Sequence, residues 1–361
     1  MIIKLGEVAS FVNGYAFKPS DWSDNGMPII RIQDLTGNSY KMNRYNGDIE
    51  QKYKVQDGDV LISWSASLGV YVWHGENAVL NQHIFKVVFD KTDVSKDYFV
   101  YQIEYRLGNA ASEAHGATMK HLTKSVFNAL PFYLPKKEEQ EKIAKVLNKI
   151  TELTNKTRKQ AKLLDDIIKS RFIEMFGDEN NSKKWDIVNV ENVADVQVGV
   201  VIKPSQYYTD KNEGIKAFRS LNVGEGYIKD SEWVYFSKEG HQKNSKSILK
   251  ENDLLIVRSG TPGTACVVTK DYVGSNTIDL IIAHPNCEKV NPYYLCTFTN
   301  MPHGKKQISE GIGGAAQQHF NVGKYNKLKL MLPPMKIQNK FVEFLREIDK
   351  SKHFCEMEVA A

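Results

Sequence analysis

The chain has 361 residues, 42% of them hydrophobic and 25% charged, with a formal net charge of +5. That content supports two domain-sized cores, gives no ground for disorder, and permits an acidic partner without demanding one. No apolar run approaches the roughly eighteen residues of a membrane span, and MIIKLGEV lacks the regions of a signal peptide, so a cytoplasmic protein is expected. Cys266, Cys287, Cys296 and Cys355 form no C-x-x-C pair and are expected to be buried thiols, not zinc ligands or disulfides.

In chain order, the short apolar runs 59–63 and 83–89 follow turn residues and read as buried strands, and 97–101 reads as a helix start. Pro135 then closes the first domain. Beyond it Ile143, Val146/Leu147, Ile150, Leu153, Leu164 and Ile167/Ile168 recur at helical spacing through Phe176 without Gly or Pro. Such a helix would be roughly 60 Å long at ~1.5 Å per residue, about twice the width of a small domain, which favours a coiled-coil spacer over a surface helix packed on one domain. Further on, 253–257 and 278–282 read as strands, Asn291-Pro292 as a helix start, and Ile337, Phe341, Leu345 and Ile348 as the stripe of a last helix.

The elements repeat. Gly116/Gly314, Ala117/Ala315, His121/His319, Asn128/Asn326, Leu134/Leu332, Pro135/Pro333 and Gln140/Gln338 keep one offset over twenty-five residues without a gap. Val8/Val193, Ala9/Ala194, Gly14/Gly199, Lys18/Lys203 and Pro19/Pro204 pair at a nearby offset, as do Arg31/Arg219, Asp59/Asp253, Leu61/Leu255 and Gly69/Gly263. A period near 190 residues is a domain duplication and not a solenoid. The expected organisation is α+β: a globular domain 1–133, a central helix 134–177, a second domain 178–331 and a shorter C-terminal helix 332–361.

Polar and basic side chains collect where the strands stop. In the first copy these are Lys18, Arg31, Gln33, Ser63, Ser65, Asn81, Gln82, Lys120 and His121. In the second they are Lys203, Arg219, Asn222, Arg258, Ser259, Thr261, Asn276, Gln317 and His319. Such side chains pair with base edges and phosphate oxygens, although surface loops are polar in any protein. The copies keep framework residues and change these loops, as two readers of different targets would. Methyltransferase, phosphate-loop and nuclease motifs are absent, and His121 and His319 lack a third metal ligand, so the chain does not read as an enzyme by itself.

A domain, then L-P-x-x-x-E-Q opening a long helix at Leu134, then a second domain and helix resembles the specificity subunit of Type I restriction-modification enzymes. The resemblance covers essentially the whole chain. It departs at Lys136-Lys137, where the family has Pro-Leu, and at Lys336-Ile337, which replace Glu138-Glu139 and weaken the second helix start. It implies two target recognition domains that each read half of a split, asymmetric double-stranded DNA site, and helices that pair antiparallel to set the spacing. It also implies two modification subunits performing adenine N6-methylation, and restriction subunits that translocate and cleave; S-adenosylmethionine, ATP and Mg would belong to those partners, with no cofactor in this chain. The other reading is a tandem scaffold for protein or carbohydrate ligands. By the repeat's measure the match of Gly177 falls fourteen positions beyond Ala361. Ile143, Val146, Leu147 and Ile150 would then lack a partner within the chain and be covered by a modification subunit or a second copy, leaving the isolated protein poorly soluble or self-associating.

Overall fold

Val60–Ser63 and Leu254–Val257 are buried at every position, unlike strands with one wet face. Each separates two cores. Val60 and Ile62 join Phe11, Phe85 and Phe99, whereas Leu61 on the opposite face joins Ile30, Val55 and Leu80. In the same way Leu254 and Ile256 face one cluster and Leu255 and Val257 another. A computed structural model describes residues 1–65, 67–113, 124–311 and 320–360, with side chains as far as 108 in the first helical region and 352 at the end. The chain forms two units, Met1–Asn155 and Lys156–Ala361.

In the first unit an antiparallel sheet runs Ser10–Asn13, Ile84–Val88, Val60–Ser63, Gly69–Val72. A second sheet runs Arg44–Tyr45, Met27–Ile30, Ala78–Leu80, Lys54–Val55, with its middle pair parallel. The second unit repeats both: Ala194–Val198, Leu280–Pro285, Leu254–Val257, Ala265–Val267, and then Val234–Phe236, Ile215–Phe218, Asn276–Thr277, the last two parallel. Only the first unit has a fourth strand in its second sheet among the described residues. The repeated pair Gly14 and Gly199 is explained by close approach. A Cβ on Gly14 would lie 2.2 Å from the Asn81 carbonyl oxygen, and one on Gly199 2.0 Å from Thr277 Oγ1.

The L-P-x-x-x-E-Q motif has a physical reason. Gln140 is 1% exposed; its Oε1 accepts from Ser95 N–H at 2.8 Å and its Nε2 donates to the Pro135 carbonyl at 2.9 Å. Gln338 makes the same pair with Asn291 N–H at 2.8 Å and the Pro333 carbonyl at 2.8 Å. One carboxamide thus satisfies a half-buried N–H and a buried carbonyl and fixes the start of the long helix to the start of an earlier helix in the same unit, Lys96–Glu113 or Pro292–Asn300. Gln338 keeps both bonds although the first turn of its helix carries no counterpart to the acidic Glu138-Glu139. Beside each glutamine a two-stranded ribbon, Ile2–Lys4 with Pro131–Tyr133 and Ile187–Asn189 with Lys329–Met331, brings the unit's entry to its exit. Tyr98 Oη donates to the Tyr133 carbonyl at 2.8 Å and Tyr294 Oη to that of Met331 at 2.6 Å.

The central helix runs Lys137–Phe176 and the last helix Met335–Ala360. Within the second unit the two are antiparallel: Phe341 lies edge-on to Phe172 and Phe176 at 5.5 and 5.2 Å, Arg171 sits over Phe344, and Lys352 pairs with Asp165. As numbers rise on one helix they fall on the other. The start of the central helix instead docks on the first unit, where Ala144 is buried, Ile143 packs on the core, and Asn148 bonds Asp97 at 2.8 Å and Tyr101 at 2.8 Å. Cys266 and Cys296 are buried as expected, but Cys287 is exposed in a turn after Pro285; the Cys355 side chain lies outside the described residues.

Candidate nucleic-acid interface

The loop residues singled out in the sequence divide into three groups. Several are part of the framework. Ser63 and Ser65 are buried, and Ser63 Oγ donates to the Ser67 carbonyl. Asn222 Oδ1 accepts from Arg219 N–H at 2.9 Å while its Nδ2 donates to the Ser231 carbonyl at 2.7 Å. Asn276 bonds His241 Nδ1 at 2.7 Å and Ser247 Oγ at 2.8 Å.

The three arginines are also held inside their own units. Arg31 Nε donates to Asp34 at 3.0 Å and its Nη2 to the Lys41 carbonyl at 3.2 Å, with the Asp34 side chain 1% exposed. Arg219 donates to the Glu232 carbonyl. Arg258 donates to Asp279 at 2.6 Å and to the Phe320 carbonyl at 3.1 Å. Charge-assisted bonds of this kind position a loop, and Arg31 and Arg258, each engaged at Nε and at a terminal nitrogen, have little left to offer a base, whereas Arg219 makes one such bond. The expectation that these arginines touch DNA directly therefore meets a competing structural role at each position.

A second group faces solvent. Lys18, Gln33, Gln82, Lys203 and Thr261 are exposed and Asn81 and Ser259 half-buried. Lys203 takes a left-handed backbone with φ of 43° as it turns the chain before Pro204. The third group, Lys120, His121, Gln317 and His319, lies outside the described residues.

The structure also gathers residues that the sequence did not bring together. Around the Gly14 crossing, Asn13, Tyr15, Tyr53, Trp64, Gln82 and His83 line a shallow cavity of about 470 Å³ in the first unit. Tyr15 is braced edge-on by Phe17 at 4.9 Å and Tyr53 at 5.6 Å, and Trp64 lies 5.6 Å from His83 and stacks on Phe85 at 5.8 Å. In the second unit Arg258 occupies the position of Trp64, counting from the matched Asp59 and Asp253. Asp279 occupies that of His83, since each precedes the residue whose carbonyl accepts from Gly14 or Gly199 N–H. An aromatic pair and an ion pair thus stand at equivalent points. The sequence signal for the cavity was the aromatic Tyr15 beside a repeated glycine.

On the central helix Ile143 is turned toward its own core and Leu147 is half-buried, whereas Val146 and Ile150 are 59% and 54% exposed, with Leu153 following at 46%. These last three continue one exposed apolar line at i, i+4, i+7. No group of three or more metal-ligating side chains occurs among the described residues. None of the described helices is long and apolar enough to cross a membrane.

A family model described as Type I restriction modification DNA specificity domain matches residues 1–164 and again 182–355. The chain is similar to the Type I restriction enzyme EcoBI specificity subunit of Escherichia coli, 22% identical over 373 residues, covering 96% of this chain and 78% of that protein. It is likewise similar to the MjaVIII specificity subunit of Methanocaldococcus jannaschii, at 23% identity over 313 residues and 82% and 73% coverage. Among solved structures, the S subunit of a Type I restriction-modification system from M. genitalium has the same fold, with a TM-score of 0.57 at 13% identity over 100% of this chain and 92% of that one. A structure reported for complex assembly and conformational transition of the type I R-M system gives a TM-score of 0.53 at 14% identity, covering 100% and 93%.

Proposed function

The chain belongs to the Type I restriction modification DNA specificity domain family, matched in both of its repeats, and from that premise we propose that residues 1–133 and 178–331 are two target recognition domains, each reading one half of a bipartite, asymmetric DNA site. The observation that carries this reading is the pairing of a repeated framework with altered tips: Gln140 and Gln338 make the same bonds, while Trp64 with His83 gives way to Arg258 with Asp279. The chain recognises and scaffolds; it performs no chemistry itself. A scaffold for protein or carbohydrate ligands is not favoured, because the family is one of DNA specificity.

In this reading the helices 134–177 and 332–361 set the spacing of the half-sites and receive two modification subunits, which supply S-adenosylmethionine and adenine N6-methylation. Restriction subunits using ATP and Mg complete a cytoplasmic assembly. Val146, Ile150 and the edge of Leu147 are the apolar surface that a modification subunit, or a second copy, covers; Ile143 supports that surface from below by anchoring the helix to the first core. Two binding domains on one spacer raise each other's effective concentration on DNA.

Co-expression with the modification subunit, followed by mapping of methylated adenines by long-read sequencing, should return a two-part motif with a fixed gap. Binding of DNA should also weaken steeply with salt as phosphate-bound counterions are released. An assembled complex with no sequence motif and a flat salt dependence would overturn the reading.

A further inference from the structure

The cavity at the Gly14 crossing has a defined chemistry. Its floor is aromatic and fixed, because Tyr15 is wedged between Phe17 and Tyr53 while Trp64 stacks on Phe85. Its mouth carries two exposed carboxamides, Asn13 and Gln82. Gln82 is exposed and its Nε2 lies 3.3 Å from His83 Nε2, a contact that uses one N–H at most and leaves the carbonyl oxygen and a second N–H for another partner. Among the described residues no arginine, lysine or carboxylate lines the cavity.

These groups discriminate between base pairs. Guanine presents two acceptors in the major groove and is best met by two donors from Arg or Lys; cytosine presents a donor and is met by an acceptor alone. Adenine presents one acceptor and one donor, which a single carboxamide matches with its N–H and its carbonyl, and the thymine opposite presents a methyl group that needs apolar surface. We infer that this cavity reads an A·T pair in the first half-site, with the Gln82 carboxamide on adenine and Tyr15 and Trp64 against the thymine methyl. The inference rests on the reading of residues 1–133 as a DNA-binding domain and names one base pair that this domain selects. The second unit, with Arg258 and Asp279 at the matched positions, makes a different selection there.

The test compares methylation motifs of the assembled enzyme carrying wild-type chain, Gln82→Ala or Gln82→Glu. Gln82 is exposed, so Gln82→Ala should melt like wild type. Its motif should relax at one A·T position of the first half-site, with discrimination there falling by about 5- to 150-fold, the span of one bidentate base contact. Gln82→Glu, which offers only acceptors, should shift that position toward C·G, and both variants should leave the second half-site intact. An unaltered motif in Gln82→Ala, relaxation at a G·C position or in the second half-site, or loss of all methylation at wild-type DNA affinity would each overturn the inference. A wild-type complex without any bipartite motif would overturn the DNA reading itself, whereas an intact wild-type motif insensitive to Gln82 would overturn only this assignment.

Discussion

Where the first unit sets Trp64 against His83, the second sets Arg258 against Asp279, yet the strands carrying these pairs keep the same order and divide their side chains between two cores in the same way. Arg31 and Arg219 make the same point one layer down. Both precede a single helical turn, and both donate their backbone N–H to the side chain three residues on, Asp34 in one unit and Asn222 in the other, at 2.9 Å. Only the carboxylate can also bind the arginine's guanidinium as an ion pair, and only in the first unit does it do so. Backbone requirements are therefore held in common, and the charge and ring chemistry laid over them is free to differ.

Framework changes should accordingly hurt the two units alike. Gln140→Leu and Gln338→Leu each strand a half-buried N–H and a buried carbonyl, at about 1–3 kcal/mol per group with the N–H at the lower end. Each substitution should lower the stability of its own unit by about 2–5 kcal/mol in denaturant unfolding. Near-equal losses would support a common framework; a large loss from one and none from the other would break the comparison.

Arginine replacement should separate the units. Arg31→Ala leaves the buried Asp34 carboxylate without its ion-pair partner and should cost about 2–3 kcal/mol, less than a fully buried pair because Arg31 itself is 19% exposed. Arg219→Ala removes a hydrogen bond to a carbonyl and should cost about 1 kcal/mol. Melting curves read the stability, and methylation motifs read specificity. If Arg31→Ala relaxed one base position without a change in melting, the arginine would be a direct reader after all.

Smaller effects on stability follow at the helix and at one histidine. Val146→Asp with Ile150→Asp changes exposed positions and should shift unfolding by less than about 0.5 kcal/mol each. Association with the modification subunit should nevertheless be lost in size-exclusion chromatography, and normal assembly would remove this surface from the account. In the second unit, burial lowers the His303 imidazole below its ordinary value, with nearby Glu179 opposing. A base depressed in this way contributes stability that is present above its ordinary titration near pH 6.5 and is lost as pH falls through the lower folded value. Melting between pH 7 and 5 should therefore weaken the second unit, and His303→Gln should flatten that dependence.

How much of this was legible depended on how local the cause is. The central strands could be read because burial on both faces makes them continuously apolar, and the helix because forty residues, Lys137–Phe176, keep one spacing. The pairs Arg44–Tyr45 and Lys54–Val55 could not be read, since two-residue edge strands carry no pattern. Arg31, Arg219 and Arg258 were legible as chemistry but not as geometry: Asp279 and Phe320, which hold Arg258, are brought beside it only by the sheet and the chain that follows. The cavity was hidden for the same reason, its lining being drawn from Asn13, Tyr53, Trp64 and Gln82 across the first unit. The motif glutamines were visible as a repeat, but their reason needed the backbone of Ser95 and Asn291.

The most direct measurement is the methylation motif of an enzyme in which residues 1–133 are exchanged for the corresponding domain of a relative while the rest of the chain is kept. Two independent readers on one spacer require that one half of the motif be replaced, the other half be unaltered and the gap retain its length. A motif in which both halves change, or neither does, would contradict the account.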